Sequence, residues 1–184
     1  AMNKTVDVLV NNAGFGNFGP YVESSFDKED AMMQVNMVAL AQLTKFFLKD
    51  MVTRNSGKIM NVASVAGFLS GPYMAVYYAT KAFVLSFSMA ISKEVEKTGV
   101  TVTTLCPGTT ETAFFKEDTL QKSTIAKMHK WPASRVAEMG YDGLMKGKRI
   151  VVATSFTNRL ALELGTRLLP RSILMNVTKK INKG

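Results

Sequence analysis

Short apolar runs alternate with longer segments of helical periodicity along this chain. Val6–Val10 is almost continuously apolar and leads into the polar stretch Asn11–Gly14, a pattern typical of a buried parallel strand that ends in a loop. Asp27–Thr53 then places apolar residues at the spacing of one helix face, and Asn55-Ser56-Gly57 ends that helix. The chain therefore opens with a strand, a loop and a long helix.

The same alternation continues to the C-terminus. The pattern predicts a Gly-rich loop over Ser64–Pro72, one or two short helices within Thr109–Met128, and a final helical region interrupted near Pro170. Strand–helix alternation of this kind indicates one α/β domain over residues 1–184, with a doubly wound parallel sheet and right-handed crossovers. The remaining predicted strands are Lys58–Ala63, Val100–Leu105 and Arg149–Val152, and the remaining helices are Tyr73–Lys97 and Pro132–Lys146.

Charge is concentrated at the C-terminal end. The net charge is +9, and residues 156–184 contribute +5 of it through six basic residues against one acidic residue. The rest of the chain is only mildly basic, so we expect no nucleic-acid groove across the domain. The basic tail also carries leucines and isoleucines. It is suited either to an anionic membrane surface or, as we expect, to packing on its own domain or a partner subunit.

Composition narrows the class further. An apolar content of 47% fits a globular core. The single cysteine, Cys106, excludes an internal disulfide and a cysteine-rich metal site; we predict no metal and a cytoplasmic location. No secretory signal is visible, and no apolar run reaches the roughly 18 residues that a bilayer span needs.

One glycine pattern is misleading. Gly14-x-Gly16-x-x-Gly19 matches the dinucleotide-binding fingerprint, which requires a helix that begins at the third glycine and a second strand soon afterwards. Here Pro20 follows the third glycine, and the next strand begins only near Lys58. We therefore interpret these glycines as a loop after a strand.

A second pattern is more specific. Tyr77 and Lys81 are four residues apart on a predicted helix, which places both side chains on one face. Ser64 lies thirteen residues before Tyr77 at the end of a strand, where parallel sheets bind ligands. Asn36 is a polar residue between Val35 and Met37, at a position where the helix would otherwise face the core.

These residues carry a family resemblance. Asn12-Ala13-Gly14, Asn36, Ser64, Tyr77-x-x-x-Lys81 and Pro107-Gly108 resemble, in this order, the motifs of the short-chain dehydrogenases/reductases. The stretches Asn11–Gly16 and Cys106–Phe115 are most similar to the branch often labelled DltE-like. The resemblance implies an oxidoreductase that moves a hydride between NADP or NAD, with NADP favoured, and a small-molecule carbonyl or alcohol substrate.

The resemblance also assigns roles. It implies catalytic roles for Asn36, Ser64, Tyr77 and Lys81, with Asn36 anchoring a water that links Lys81 to solvent. Reduction of a carbonyl leaves an alkoxide that needs a proton, and Tyr77 suits this task if nearby charge on Lys81 lowers its pKa. Ser64 would polarise the carbonyl oxygen. The implied cofactor-binding residues are Asn12, Ala13, Gly14, Tyr77, Lys81, Pro107, Gly108 and Thr112, with the first three also bracing the sheet.

The resemblance implies that the N-terminal part of the family's fold is missing from this sequence. It matches family strands four to seven, so we expect Val6–Val10 to be an edge strand and cofactor affinity to be poor without the phosphate-binding loop. The alternative function is that of a truncated, non-catalytic chain that acts only through association. An epimerase or dehydratase on the same fold is a weaker third possibility.

Substrate and partners follow from the remaining residues. Aromatic and aliphatic residues are expected around Ser64 and Tyr77 and favour an apolar substrate, although ordinary loop packing explains them equally well. By resemblance, residues 109–131 form a substrate lid, and a homo-oligomer forms through Asp27–Thr53 and Tyr73–Lys97. The expected apolar residues are Phe15, Phe18, Phe68, Leu69, Tyr73, Phe114 and Phe115.

Overall fold

A computed structural model describes residues 5–116, 121 and 123–183. Its main sheet has four parallel strands in the order β1-β2-β3-β6, as the strand–helix alternation predicts. A second, two-stranded parallel sheet of β4 and β5 lies within the connection between β3 and β6 and was not predicted. The strands are β1 Val8–Asn11, β2 Gly57–Val62, β3 Val100–Pro107, β4 Thr110–Glu111, β5 Trp131–Pro132 and β6 Ile150–Ala153.

Helices fill the connections between the strands. The long helix predicted over Asp27–Thr53 is present but is interrupted by a π-helical segment, Gln34–Ala39, that contains Asn36. Short 3-10 turns cover Tyr21–Glu23, Val65–Phe68 and Ala113–Lys116. The α-helices are α1 Phe26–Met33, α2 Leu40–Thr53, α3 Ala75–Glu94, α4 Thr124–Lys127, α5 Ala133–Met145, α6 Phe156–Leu168 and α7 Arg171–Asn182.

Both faces of the main sheet are covered. Because side chains alternate along a strand, Ile59 of β2 points to the face where Met51 of α2 packs, whereas Met60 points to the opposite face. There it meets Val136 and Leu144 of α5. The sheet is therefore doubly wound, with α2 and α3 on one face and α5 on the other.

The position of α5 bears on the prediction that all crossover connections of the sheet are right-handed. The strands β1, β2, β3 and β6 follow one another in a single direction across the sheet. The first two connections run over one face, through α2 and α3, and the third runs over the other face, through α5. Parallel connections that advance in one direction but cross opposite faces have opposite hands. If the first two are right-handed, as is usual, the β3–β6 connection is left-handed, unlike the prediction.

Helix α3 is the most apolar long helix among the described residues. By length and composition alone it would suffice to cross a bilayer, contrary to the prediction from apolar runs. Its inward face buries Thr80, Lys81, Val84 and Ser88 against the sheet and the neighbouring loops. Length and composition are weak evidence for a membrane span, and in this structure one face of α3 packs on the sheet.

A band of polar side chains crosses the core beneath the ends of β1 and β2. Asn11 and Asn61 are register partners, and Asn11 Nδ2 donates to Asn61 Oδ1 at 2.8 Å. Asn11 Nδ2 also lies 3.0 Å from Thr44 Oγ1 of α2, and Asn61 Nδ2 donates to Ser88 Oγ of α3 at 2.9 Å. These four buried residues, called the polar seam below, tie two strands to two helices.

Strand β1 lies at one edge of the described sheet. Among the described residues it pairs only with β2. Val8 and Val10 are 44% and 46% exposed on the face opposite α2. An edge strand at this position agrees with the expectation, and the backbone groups on its outer edge are unpaired by any described strand.

Candidate active site

Three of the four predicted catalytic side chains, Ser64, Tyr77 and Lys81, come from two adjacent elements. Ser64 lies just after β2 and caps the 3-10 turn that follows, because its Oγ accepts a hydrogen bond from Ala66 N at 3.1 Å. Tyr77 lies in the first turn of α3, and Lys81 lies one turn later. All three line one cavity of about 610 Å³ at the carboxyl end of the sheet. The sequence spacing therefore predicted their convergence correctly.

Lys81 is a buried cation. The residue is only 5% exposed, and its Nζ donates a hydrogen bond to Val62 O at 2.9 Å. Burial lowers the pKa of Lys81 to about 8, because a charged ammonium is disfavoured away from water. An ideal Cβ on Gly14 would lie 3.3 Å from Nζ and 3.0 Å from Asn36 Oδ1. Gly14 thus allows the β1 loop to approach both side chains closely.

Tyr77 differs from the expectation. Its pKa is raised to about 12, chiefly because the phenol is desolvated, although hydrogen bonding to Ser64 opposes the rise. We expected Lys81 to lower this pKa. Instead the ammonium is bonded to Val62 O and lies 5.8 Å from the centre of the Tyr77 ring. In this state desolvation outweighs charge, and Tyr77 is a neutral phenol at physiological pH.

Asn36 links three parts of the site. It is 1% exposed, and its amide nitrogen donates to Phe15 O at 2.9 Å and to Thr80 Oγ1 at 3.1 Å. Its oxygen accepts from Phe15 N at 3.1 Å. Thr80 in turn donates to Tyr77 O at 2.8 Å. Asn36 therefore joins the loop after β1 to α3; its water-anchoring role stays a prediction.

The predicted cofactor-binding residues are mostly brought together. Asn12, Gly14, Pro107, Gly108 and Thr112 line the cavity that holds Tyr77 and Lys81, whereas Ala13 is absent from its described lining. Thr112 also accepts from Phe114 N at 3.3 Å.

The residue that braces the sheet is not one of those expected. Asn12, Ala13 and Gly14 are exposed, so they do not brace it. That role belongs to Asn11, which is buried in the polar seam because alternation along β1 turns it inward. Thr80 was also missed. Its position one turn before Val84, on the face of α3 that carries Lys81, is the sequence signal that pointed to it.

Only some of the apolar residues expected at the site line the cavity. Leu69 and Phe114 line the cavity, and the Phe114 ring lies 5.2 Å from the Tyr77 ring. Phe18 packs with Met74 and Tyr78 beside it, and Phe68 packs in the core. Phe15 and Tyr73 are not among the cavity's described lining, and the Phe115 side chain lies outside the described residues.

Comparison with known proteins identifies the family. The family model for short chain dehydrogenases matches residues 1–123. The chain belongs to the short-chain dehydrogenase family. One relative is the 3-oxoacyl-acyl-carrier-protein reductase FabG of Vibrio cholerae, 34% identical over 135 residues, which are 72% of this chain and 54% of the relative.

Solved structures of short-chain dehydrogenases share the fold. One from Sphingobium yanoikuyae in complex with NADPH has a TM-score of 0.76 at 24% identity and covers 88% of this chain and 62% of its own. Another from Burkholderia phymatum in complex with NAD has a TM-score of 0.78 at 24% identity and covers 98% and 70%. The chain spans about half the length of the curated relatives it matches.

Proposed function

We propose that this chain carries the catalytic centre of an NAD(P)-dependent oxidoreductase that acts on a carbonyl or alcohol substrate. One observation carries the proposal: Ser64, Tyr77 and Lys81 share a single cavity with five of the residues expected to bind the cofactor. A hydroxyl, a phenol and an ammonium group at the carboxyl end of a parallel sheet suit proton transfer to a bound substrate oxygen.

The residues present fit a nicotinamide nucleotide. The Lys81 ammonium has three hydrogens to donate, and Val62 O is the hydrogen-bond acceptor found for it among the described residues. Its remaining hydrogens suit ribose hydroxyls. Pro107, Gly108 and Thr112 would border the nicotinamide, and Asn12 and Gly14 the adenine side. The bound cofactor would supply or accept the hydride.

The chain's own residues would handle the substrate oxygen. Ser64 Oγ would donate a hydrogen bond to it and stabilise the negative charge that develops during reduction. Tyr77 would then give its phenolic proton to this oxygen, and the ring contact with Phe114 keeps the phenol within the cavity. Lys81 would offset the negative charge left on Tyr77.

The pKa of Tyr77 favours one direction. A phenol with a pKa of about 12 is protonated at neutral pH and is still far more acidic than an alcohol. It is therefore ready to donate a proton to an alkoxide but rarely ionised to accept one. We infer that the free chain holds Tyr77 in the protonated form that carbonyl reduction requires.

An apolar ketone is the substrate class that we propose. Leu69, Met74, Phe114, Ile125 and Val136 line the same cavity as Tyr77. Such a lining stabilises a hydrophobic substrate through burial of its surface, while Ser64 and Tyr77 fix the position of the carbonyl. Helix α4, which contains Ile125, lies within the predicted lid, residues 109–131. The lid prediction falls partly outside the described residues.

The test is spectrophotometric. The full chain is incubated with NADPH or NADH and a series of apolar ketones, and cofactor oxidation is followed. We expect Tyr77→Phe to reduce kcat by about 10²- to 10⁴-fold, because it removes the proton donor. Tyr141→Phe, on an exposed tyrosine of α5, is the matched control and should retain activity.

The alternative is an association-only chain without catalysis. Titration of the chain with NADPH and NADH, followed by fluorescence of Trp131, separates the two functions. Saturable cofactor binding together with Tyr77-dependent turnover supports the oxidoreductase. Because cofactor affinity is expected to be poor, the titration and the turnover assay extend to millimolar cofactor. An absence of both binding and turnover at that concentration, with a correctly folded chain, refutes the oxidoreductase and leaves the association-only function.

Partners and location remain predictions. We propose a homo-oligomer that forms through α2 and α3, because Leu43 and Phe46 of α2 and Phe83 of α3 are exposed on the outer side of this layer. The lone, buried Cys106 supports the proposed cytoplasmic location. For the basic tail, contact with an anionic membrane is the less favoured role, because α7 packs on its own domain through Thr178 and Asn182.

A further inference from the structure

Two polar residues of the C-terminal helix α7 are buried against the active-site region. Thr178 is 3% exposed and Asn182 is fully buried, and their spacing of four residues places them on the same face of the helix. Most other polar residues of α7, such as Asn176 and Lys180, are exposed. Polar side chains are buried in this way only where hydrogen bonds compensate them.

Those hydrogen bonds reach the loop that precedes the helix of Tyr77. Asn182 Nδ2 donates to Pro72 O at 2.9 Å, and Tyr78 Oη donates to Asn182 Oδ1 at 3.2 Å. Because Pro72 O can only accept a hydrogen bond, the nitrogen of the Asn182 carboxamide faces Pro72, and its oxygen therefore faces Tyr78. Thr178 Oγ1 lies 2.7 Å from Ser70 O, to which it donates.

The loop needs such support. Tyr73 has a backbone φ of +67°, a left-handed conformation that is unfavourable for an aromatic residue and persists only when its surroundings hold it. An ideal Cβ on Gly71 would lie 2.3 Å from the Tyr78 ring, so the loop backbone rests directly on that ring. The loop after β1 also supports Tyr73, because Gly19 N donates to Tyr73 O at 2.9 Å.

Tyr77 depends on this loop for its position. It is the third residue of α3, and Met74, which caps the helix, provides no side-chain hydrogen bond. The first turn of a helix has unpaired N–H groups and frays unless it is capped or packed. Here the anchoring comes instead from Pro72 and Tyr78, both bonded to Asn182. Displacing the loop would therefore displace the turn that carries Tyr77.

We propose that Asn182 and Thr178 are positioning residues of the active site. They hold the loop of residues 69–74 and the first turn of α3, and so hold the Tyr77 hydroxyl in the position from which it can give its proton to the substrate oxygen. This inference rests on the proposed function and extends it to the end of the chain. Helix α7 thereby becomes part of the support of the catalytic centre.

The kinetic test uses matched substitutions in the full chain. Thr178→Val removes the hydroxyl at nearly constant volume, Thr178→Ser keeps it, and Asn182→Ala removes the carboxamide. We expect Thr178→Val and Asn182→Ala to reduce kcat for ketone reduction about tenfold or more with little change in KM for NADPH, because small misplacements of reacting groups are costly. Thr178→Ser should restore kcat. Asn176→Ala, on the exposed side of α7, should match the wild type.

A second measurement does not depend on activity. Hydrogen exchange of the Gly19 and Tyr78 amides, which bond to Tyr73 O and Met74 O, should be faster in Thr178→Val and Asn182→Ala, while the amides of β3 exchange as in the wild type. Unchanged exchange at Gly19 and Tyr78 overturns the proposal. So does faster exchange with an unaltered kcat in an active enzyme. If the wild type itself reduces no ketone, the proposed function fails, and exchange alone then decides whether α7 holds the loop.

Discussion

Lys81 and Tyr77 show how burial sets the chemistry of single residues. Both are desolvated, and this moves their pKa values in opposite directions, to about 8 for the ammonium and about 12 for the phenol. In each case the neutral form is favoured. The site therefore holds an ammonium group that loses its proton easily beside a phenol that loses its proton only with difficulty. A charge brought into the cavity acts strongly on both groups because little water screens it.

Lys81 makes stability depend on pH. Its pKa of about 8 in the folded chain is below the ordinary value of 10.5, so between these values the unfolded chain binds more protons. The free energy of unfolding should therefore rise with pH above about 8, by at most about 1.4 kcal/mol per pH unit. Lys81→Met should remove this rise.

Urea denaturation at several pH values between 7.5 and 9 measures the effect. In the upper part of this window the Cys106 thiol opposes the rise, because burial raises its pKa from 9.0 to about 12 and the unfolded chain then loses this proton first. Comparison with Lys81→Met, which keeps Cys106, accounts for this contribution. Lys97→Met on the exposed surface is the control and should keep the wild-type slope. An equal slope in Lys81→Met would contradict the prediction.

The elements meet at points where little space is left. The 3-10 turn after Ser64 packs on α3 so closely that an ideal Cβ on Gly67 would lie 2.7 Å from Lys81 O, a backbone atom that cannot move aside alone. The polar seam joins β1, β2, α2 and α3 one layer below the cavity. Both features fix the relative position of the elements that carry Ser64, Tyr77 and Lys81.

Gly67→Ala tests the close approach of the turn to α3. We expect it to lower the free energy of unfolding by about 1–3 kcal/mol, because overpacking forces the backbone apart. Gly165→Ala in α6 is the matched change, since its Cβ would make only ordinary contacts, the nearest at 3.5 Å to Leu174. It should be neutral or stabilising by up to about 1 kcal/mol. Thermal or urea unfolding that ranks the two variants in the reverse order would refute this account.

Asn61→Ala tests the polar seam. The substitution leaves Asn11 and Ser88 without their partner in the core, and an unsatisfied buried polar group costs about 1–3 kcal/mol. We expect a loss of at least that size in urea denaturation. Asn158→Ala on exposed α6 is the control and should change stability by less than about 0.5 kcal/mol. A loss at Asn61 no larger than that of the control would show that the seam contributes no stability.

At the scale of the whole molecule, the helices on the two faces of the sheet contribute different parts of the site. The face under α2 and α3 supplies Tyr77 and Lys81, and the opposite face under α5 supplies Val136 and other residues of the apolar cavity lining. The outer side of the α2–α3 layer leaves Phe46 74% exposed and Phe83 39% exposed. Exposed aromatic residues on adjacent helices are typical of a surface that another chain covers.

Association through this layer is testable with one charge. Phe46→Glu should convert the proposed homo-oligomer to monomer, or weaken its association at least tenfold, because a carboxylate would be buried unpaired in the interface. Sedimentation velocity over a range of concentrations measures this. Phe156→Glu, on an aromatic residue 78% exposed on α6, is the matched control. A chain that is monomeric without substitution, or unaffected by Phe46→Glu, would contradict association through α2.

The family, the parallel sheet and the convergence of Ser64, Tyr77 and Lys81 could be predicted from the sequence. These follow from local periodicity and from short spacings, since four residues on a helix and the end of a strand define positions without reference to the rest of the fold. The π-helical break at Asn36, within an unbroken helical pattern, does not follow from such rules.

The folded structure alone establishes the contacts between residues that are far apart in the chain. Asn182 bonds to Tyr78 across 104 positions, and Asn11 bonds to Asn61 across 50, so no local pattern signals either pair. It also decided that α5 crosses the opposite face from α2 and α3, and that burial raises rather than lowers the pKa of Tyr77. Burial depends on every neighbour at once, and that information exists only when the chain is folded.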